Sequence, residues 1–297
     1  MRQNIFIALC AIILLSFAVL KIFAAPAPSL HAYPVLLADQ DYEQGAVQEP
    51  DVHLENGTYK MWYTAGWNHS VIAYATSPDG VAWVKRGTVM GMGTGGFAGA
   101  VAHHSVLIRG GMYYLFFADA VPPGMAEYLA VSTDGLHFDH PQKILSPGVS
   151  DMSLANTAVW VEGRDWYMLY ESMTPGSIWR LFLAEGTDVY HWRKVAGPLT
   201  DLSYGGAYGG PWISGHAGAY TLTYHAAMTA DRPTDIYQAT SIDLLHWTKI
   251  TNPLVIHDAA DGYDQAADPS IIGNRMWYSV MNNDKPSGMI MLAELNK

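Results

Sequence analysis

The 297-residue sequence predicts an all-β fold, a five-bladed β-propeller of four-stranded antiparallel blades whose ring is closed by an N-terminal strand. Three observations predict it. A turn motif returns at nearly constant spacing, an aromatic run of period two precedes each copy, and the last unit is one strand short.

The first turn is Ser77-Pro78-Asp79-Gly80-Val81-Ala82-Trp83, and it recurs as Ser132 to Phe138, Gly186 to Trp192 and Ser241 to Trp247, with the aspartates 55, 54 and 55 residues apart. Before these turns lie Tyr59-Lys60-Met61-Trp62-Tyr63, Tyr113 to Phe117, Trp166 to Tyr170 and Tyr220 to Tyr224, each alternating as a strand does. A fifth copy begins at Asp268 and reaches Met276-Trp277-Tyr278. Taking each unit in chain order, strand A is Val52 to Leu54 or its equivalent. Asn56-Gly57, Gly110-Gly111 and Gly273-Asn274 supply tight turns into aromatic strand B. Strand C is Ile72 to Ala75, Tyr128 to Val131, Leu181 to Ala184 or Ile236 to Ala239, and strand D begins near the Trp of the turn. The fifth unit ends at Met289 to Leu295 with no strand D, so Tyr33 to Leu37 is expected to supply it. Recurrence of Asp79, Asp134, Asp188 and Asp243 marks them as turn formers, because an Asp carboxylate accepts backbone N–H bonds in such turns. Trp83, Trp192 and Trp247 read as packing between units.

Half of the residues are hydrophobic and only 14% are charged, which excludes intrinsic disorder. The net charge of −11 repels phosphate backbones and argues against a nucleic-acid partner. Residues 1–27 combine Arg2, an apolar run from Ile5 to Leu20 and the small residues Ala25-Pro26-Ala27. They read as a secretory signal peptide or, alternatively, an uncleaved anchor, the latter being the expected route to a membrane. Either places residues 28–297, a single propeller domain, outside the cytoplasm, secreted or periplasmic. The sole cysteine, Cys10, lies in that segment, so the remaining chain has no thiol for a disulfide or a metal-thiolate site.

Short A-to-B and C-to-D turns trim one face, and the long D-to-A connections gather on the other, where binding residues are expected. Just before strand A stand Glu49-Pro50-Asp51, His103-His104-Ser105, Asn156-Thr157-Ala158, Gly210-Pro211-Trp212 and Asp268-Pro269-Ser270. Asp119, Glu171 and His225 form a second tier at the ends of strand B, with Trp67 and Trp179 nearby. Carboxylates that grip hydroxyls beside aromatic faces that stack on rings suit a sugar. Glu49 and Asp268, aligned on the repeat at the channel mouth, are the expected catalytic pair. Asp51, Trp67, His103, His104, Asp119, Asn156, Glu171, Trp212 and His225 are expected to bind substrate. No His or carboxylate spacing points to a metal, and no cofactor is expected. The Gly-rich stretch 91–99 lacks a phosphate-loop ending and reads as a flexible rim loop or lid.

The five units, the Glu/Asp-Pro before strand A, the aromatic strand B and the Ser/Thr-x-Asp-Gly-x-x-Trp turn resemble the five-bladed propeller glycosidases. Glycoside hydrolase family 43 is most similar, with relatives in families 32, 62, 117 and 130. The resemblance covers residue 33 to the C-terminus. It implies hydrolysis of an oligosaccharide or polysaccharide by a protein that carries three carboxylates before its A strands, an Asp base or nucleophile, an orienting Asp and a Glu acid; the chain is separately expected to be a monomer. Ala267-Asp268-Pro269-Ser270-Ile271 is similar to the motif of the Asp base, and Glu49-Pro50-Asp51 is a variant of it. His103, Asn156 and Gly210 depart from the pattern. Either the acid comes from elsewhere, such as Glu171 or Asp119, or the site binds glycans without cleaving them. A protein-interaction scaffold is a third reading.

Overall fold

The computed structural model describes residues 31–119, 124–257, 262–282, 284 and 287–295, and the expected signal or anchor segment with Cys10 lies outside them. The chain enters through β1 (Ala32–Leu36) and then builds antiparallel units. The first is β2 (Val47–Glu55), β3 (Thr58–Ala65), β4 (Val71–Ser77) and β5 (Val84–Met90). The second is β6 (Val101–Arg109), β7 (Met112–Asp119), β8 (Glu127–Ser132) and β9 (Asp139–Leu145). The third is β10 (Leu154–Glu162), β11 (Asp165–Thr174), β12 (Ile178–Gly186) and β13 (Trp192–Ala196). The fourth is β14 (Tyr208–His216), β15 (Ala219–Ala227), β16 (Thr234–Ser241) and β17 (Thr248–Val255). Last come β18 (Gln265–Ile272), β19 (Arg275–Asn282) and β20 (Ser287–Glu294), and β1 lies antiparallel against β20 with Tyr33 opposite Leu292. Each unit pairs in sequence order, and a single parallel bridge, Thr234 to Gln265, joins the fourth sheet to the fifth.

The first strand of every unit is longer than its apolar pattern suggested. Between Gln48 and Asp51, Ala102 and Ser105, Ala155 and Thr157, Gly209 and Trp212, and Ala267 and Ser270, the register with the second strand slips. Each slip is a bulge, which bends the strand and re-aims one side chain. In all five the same aligned residue sits in the left-handed region: Glu49 at φ 54°, His103 at 58°, Asn156 at 40°, Gly210 at 54° and Asp268 at 50°. Four of the five are not glycine, and such backbone strain persists only where surrounding structure fixes it.

The core lies between units. Trp62 of β3 reaches the turn of the second unit and donates from Nε1 to the Gly135 carbonyl at 2.9 Å, and Trp277 of β19 does the same to Gly80 of the first at 3.0 Å. A Cβ at Gly80 would stand 2.8 Å from the Trp277 ring, so only glycine fits under that indole. The turn aspartates behave as expected, Asp134 Oδ1 accepting the N–H groups of Leu136 and His137 at 2.8 and 2.9 Å. Trp83 is half-buried and Trp247 buried, each donating to its own turn. The stretch 91–99 is not a loose lid. Backbone bonds close it on itself, Met92 N–H to the Gly99 carbonyl at 2.7 Å and Gly93 N–H to that of Phe97 at 2.8 Å, and the Phe97 ring packs edge-on against Phe117 and Tyr128.

Candidate active site

The five bulges put Glu49, His103, Asn156 and Asp268 around one cleft of about 460 Å³, with Glu171 and His225 reaching in from β11 and β15 and Trp67 and Trp179 on its walls. A chain of polar contacts runs along one side. Glu49 Oε2 accepts from the Thr64 hydroxyl at 2.6 Å and from the His103 N–H at 2.7 Å, while Oε1 lies 2.8 Å from His103 Nδ1. The same Nδ1 is 3.2 Å from Asn156 Oδ1, and Asn156 Nδ2 donates to Glu171 Oε2 at 2.8 Å. Burial alone would raise the Glu49 pKa, but the His103 charge and hydrogen bonds from His103 and Thr64 overcome it and hold the group down at about 2. Burial alone would likewise discharge His103, yet the Glu49 carboxylate holds its pKa up at about 9. Glu49 is thus a fixed carboxylate facing a fixed imidazolium.

The other side is organised by two missing side chains. A Cβ at Gly209 would stand 1.9 Å from Glu171 Oε2, and one at Gly210 would stand 2.5 Å from Asp268 Oδ1 and 2.6 Å from His225 Nδ1. The Gly209–Gly210 pair therefore leaves open the space into which three neighbouring side chains fold. Glu171 is buried and accepts the Gly210 N–H at 3.0 Å. His225 lies between the two acids, Nδ1 at 3.4 Å from Asp268 Oδ1 and Nε2 at 3.9 Å from Glu171 Oε2. Burial pushes the Glu171 pKa up, outweighing the charge of His225 and the Asn156 bond. Burial opposes the charge on His225, but Asp268 and Glu171 raise its pKa. Asp268 Oδ1 is buried with no hydrogen-bond donor among the described residues.

Of the residues expected at the mouth, the fold brings together Glu49, Trp67, His103, Asn156, Glu171, His225 and Asp268. Four others it does not bring there. Asp51 Oδ2 accepts the Val106 N–H at 2.6 Å and ties the first unit to the second, because it follows the bulge and points to the other side of the strand. His104 and Trp212 line, with Asp51, an adjoining pocket of about 160 Å³ that shares Glu49, Asn156 and Asp268 with the cleft. His104 Nδ1 there faces the Thr64 hydroxyl at 3.2 Å, and burial lowers its pKa. Asp119 caps a connection, accepting the Ala126 N–H at 2.6 Å. Two residues escaped the sequence reading. Thr64 anchors Glu49, and Glu127 is a buried acid whose pKa burial pushes up to about 8, held by the Thr157 hydroxyl at 3.0 Å. Period-two alternation carries no mark of either. Among the described residues no group of three or more His, Cys, Asp and Glu side chains is arranged to hold a metal ion.

No protein-family model matches the chain. A stretch of 142 residues, 44% of the chain, is 30% identical to sucrose-6-phosphate hydrolase of Escherichia coli. The chain spans only 28 to 40% of the length of the first curated relatives it matches. Solved structures match far more of it. A thermostable family-43 glycoside hydrolase superposes with a TM-score of 0.69 at 15% identity, covering 85% of this chain and 90% of that one. A family 117 glycoside hydrolase of Zobellia galactanivorans gives 0.65 at 14% identity, covering 89% of each chain. The chain has the all-β fold of the family-43 and family 117 glycoside hydrolases.

Proposed function

We propose that this protein is a glycoside hydrolase, exported by its N-terminal segment or anchored through it, that cleaves a neutral oligosaccharide or polysaccharide as a monomer. In this reading the five antiparallel units are five blades of one propeller, with β1 completing the last blade and closing the ring. Hydrolysis of a glycosidic bond needs one carboxyl group to protonate the leaving oxygen and another to activate water or attack carbon. The observation that carries the reading is the convergence of Glu49, Glu171 and Asp268, from three separate units, on a cleft walled by Trp67 and Trp179. Asp268 is the base or nucleophile. Its Oδ1 makes no hydrogen bond among the described residues, with His225 Nδ1 3.4 Å away, which suits it to accept a proton from water. Glu49, expected to share the chemistry, is better suited to holding His103, since its carboxylate is already occupied by Thr64 and His103. His103 and Asn156 remain suited to sugar hydroxyls.

A panel of aryl furanosides and pyranosides, with natural glycans beside them, tests the reading. Asp268→Asn should lower turnover by about 10²- to 10⁴-fold with an unchanged circular-dichroism spectrum. Undiminished turnover in that variant removes Asp268 from the chemistry. The second reading, glycan binding without cleavage, is favoured by His103 and Asn156 standing where the resembling families carry carboxylates. Glycan-array binding with no product released would decide for it. Fractionation of the producing cell checks export.

A further inference from the structure

We propose that Glu171 is the general acid of this site, delivered from the second strand of the third unit into the space left by Gly209 in the first strand of the fourth. The assignment rests on the hydrolase reading above and names the one role that reading leaves open.

The geometry is specific. Glu171 is paired with Ala155 on β10, one residue before the bulge at Asn156, so its side chain emerges level with the ring of left-handed residues. The carboxyl group then crosses to the fourth unit, where it takes the Gly210 N–H and occupies the position of a Cβ on Gly209. Any side chain at 209 would evict it. Both of its hydrogen bonds among the described residues fall on Oε2, from Asn156 and Gly210, which leaves Oε1 to carry the proton. Burial favours the protonated form. Asp119, the other acid considered for this role, is occupied by the Ala126 N–H and does not line the cleft.

In the proposed step the Glu171 proton passes to the glycosidic oxygen as its bond to the anomeric carbon breaks, the bonding pair staying on that oxygen. Water adds to the carbon and gives a proton to the Asp268 carboxylate. Exchange with solvent then takes that proton from Asp268 and restores one to Glu171, while His225 stands between the two acids, Nδ1 at 3.4 Å from Asp268 and Nε2 at 3.9 Å from Glu171. One water is consumed and both carboxyl groups recover their starting states. His225 touches both acids but not the bond that breaks, so it is a positioning residue.

The test compares wild type, Glu171→Gln, Glu171→Ala, Gly209→Asp and the double variant Glu171→Ala/Gly209→Asp on nitrophenyl and alkyl glycosides of the same sugar. Glu171→Gln keeps the acceptor for Gly210 and should fold. It should lose about 10²- to 10⁴-fold in kcat on the alkyl glycoside, which needs a proton on its leaving oxygen, and far less on the nitrophenyl one. The alkaline limb of its pH profile should vanish. Gly209→Asp alone should be inactive through collision with Glu171, and the double variant should recover at least about tenfold over Glu171→Ala by returning a carboxyl group to the same space. Equal losses on both leaving groups, a retained alkaline limb, or no recovery in the double variant would overturn the assignment. An inert wild type fails the hydrolase reading itself. An active wild type indifferent to Glu171→Gln fails this assignment alone.

Discussion

Glu49 and His103 hold each other in opposite charge states inside the protein, and the pair makes stability depend on pH from both sides. The Glu49 pKa is depressed from 4.5 to about 2, so its contribution is present above 4.5 and is lost as the pH falls toward 2. The His103 pKa is raised from 6.5 to about 9, so its contribution is full below 6.5 and is lost as the pH rises toward 9. Glu49→Gln removes both at once. The difference in unfolding free energy between wild type and this variant, measured in urea, should peak between pH 4.5 and 6.5 and shrink on either side. A difference that stays flat from pH 4 to pH 9 would show that the two groups are not coupled. The sequence marked Glu49, His103 and Asn156 as aligned neighbours of strand A. It could not mark Thr64, whose hydroxyl matters only because the bulge turns Glu49 back over it.

At the scale of the element, the bulge is what converts a repeat into a site. The strands were legible because aromatic alternation and the Asp turn are written in residue types. The left-handed residue was not, since Glu49, His103, Asn156 and Asp268 adopt positive φ with no glycine to announce it. The acid role proposed for Glu171 was legible only as one option, because the reach of its side chain depends on an absence in the next unit, at Gly209 on β14. The same close packing gives a test. Gly210→Ala adds a methyl group 2.5 Å from Asp268 Oδ1 at a φ of 54°, so it should destabilise the fold by about 1–3 kcal/mol and displace His225 and Asp268. Denaturant unfolding measures the first effect and turnover the second. A variant as stable and as active as wild type would mean that this space is not needed.

For the whole molecule, the expected all-β architecture follows from four Asp turns at even spacing, and the pairing of β1 with β20 joins residues about 260 positions apart without a covalent link. Deleting residues 31–37 would leave one edge of β20 unpaired and bare part of the apolar cluster that Leu36 shares with Ile290 and Trp277. The shortened chain should melt at a lower temperature and aggregate on heating. Unchanged melting would show that β20 needs no such cover. The five left-handed positions carry a further consequence for how such a protein changes over generations. Each is pinned by its own strand pair, while the side chains of the four that are not glycine enter a common space, so chemistry at the centre can be respelled one codon at a time without rebuilding the walls. Glutamate, histidine, asparagine and aspartate are one spelling among many, and a library restricted to positions 49, 103, 156 and 268, with Gly210 kept, would sample new activities on an otherwise untouched frame.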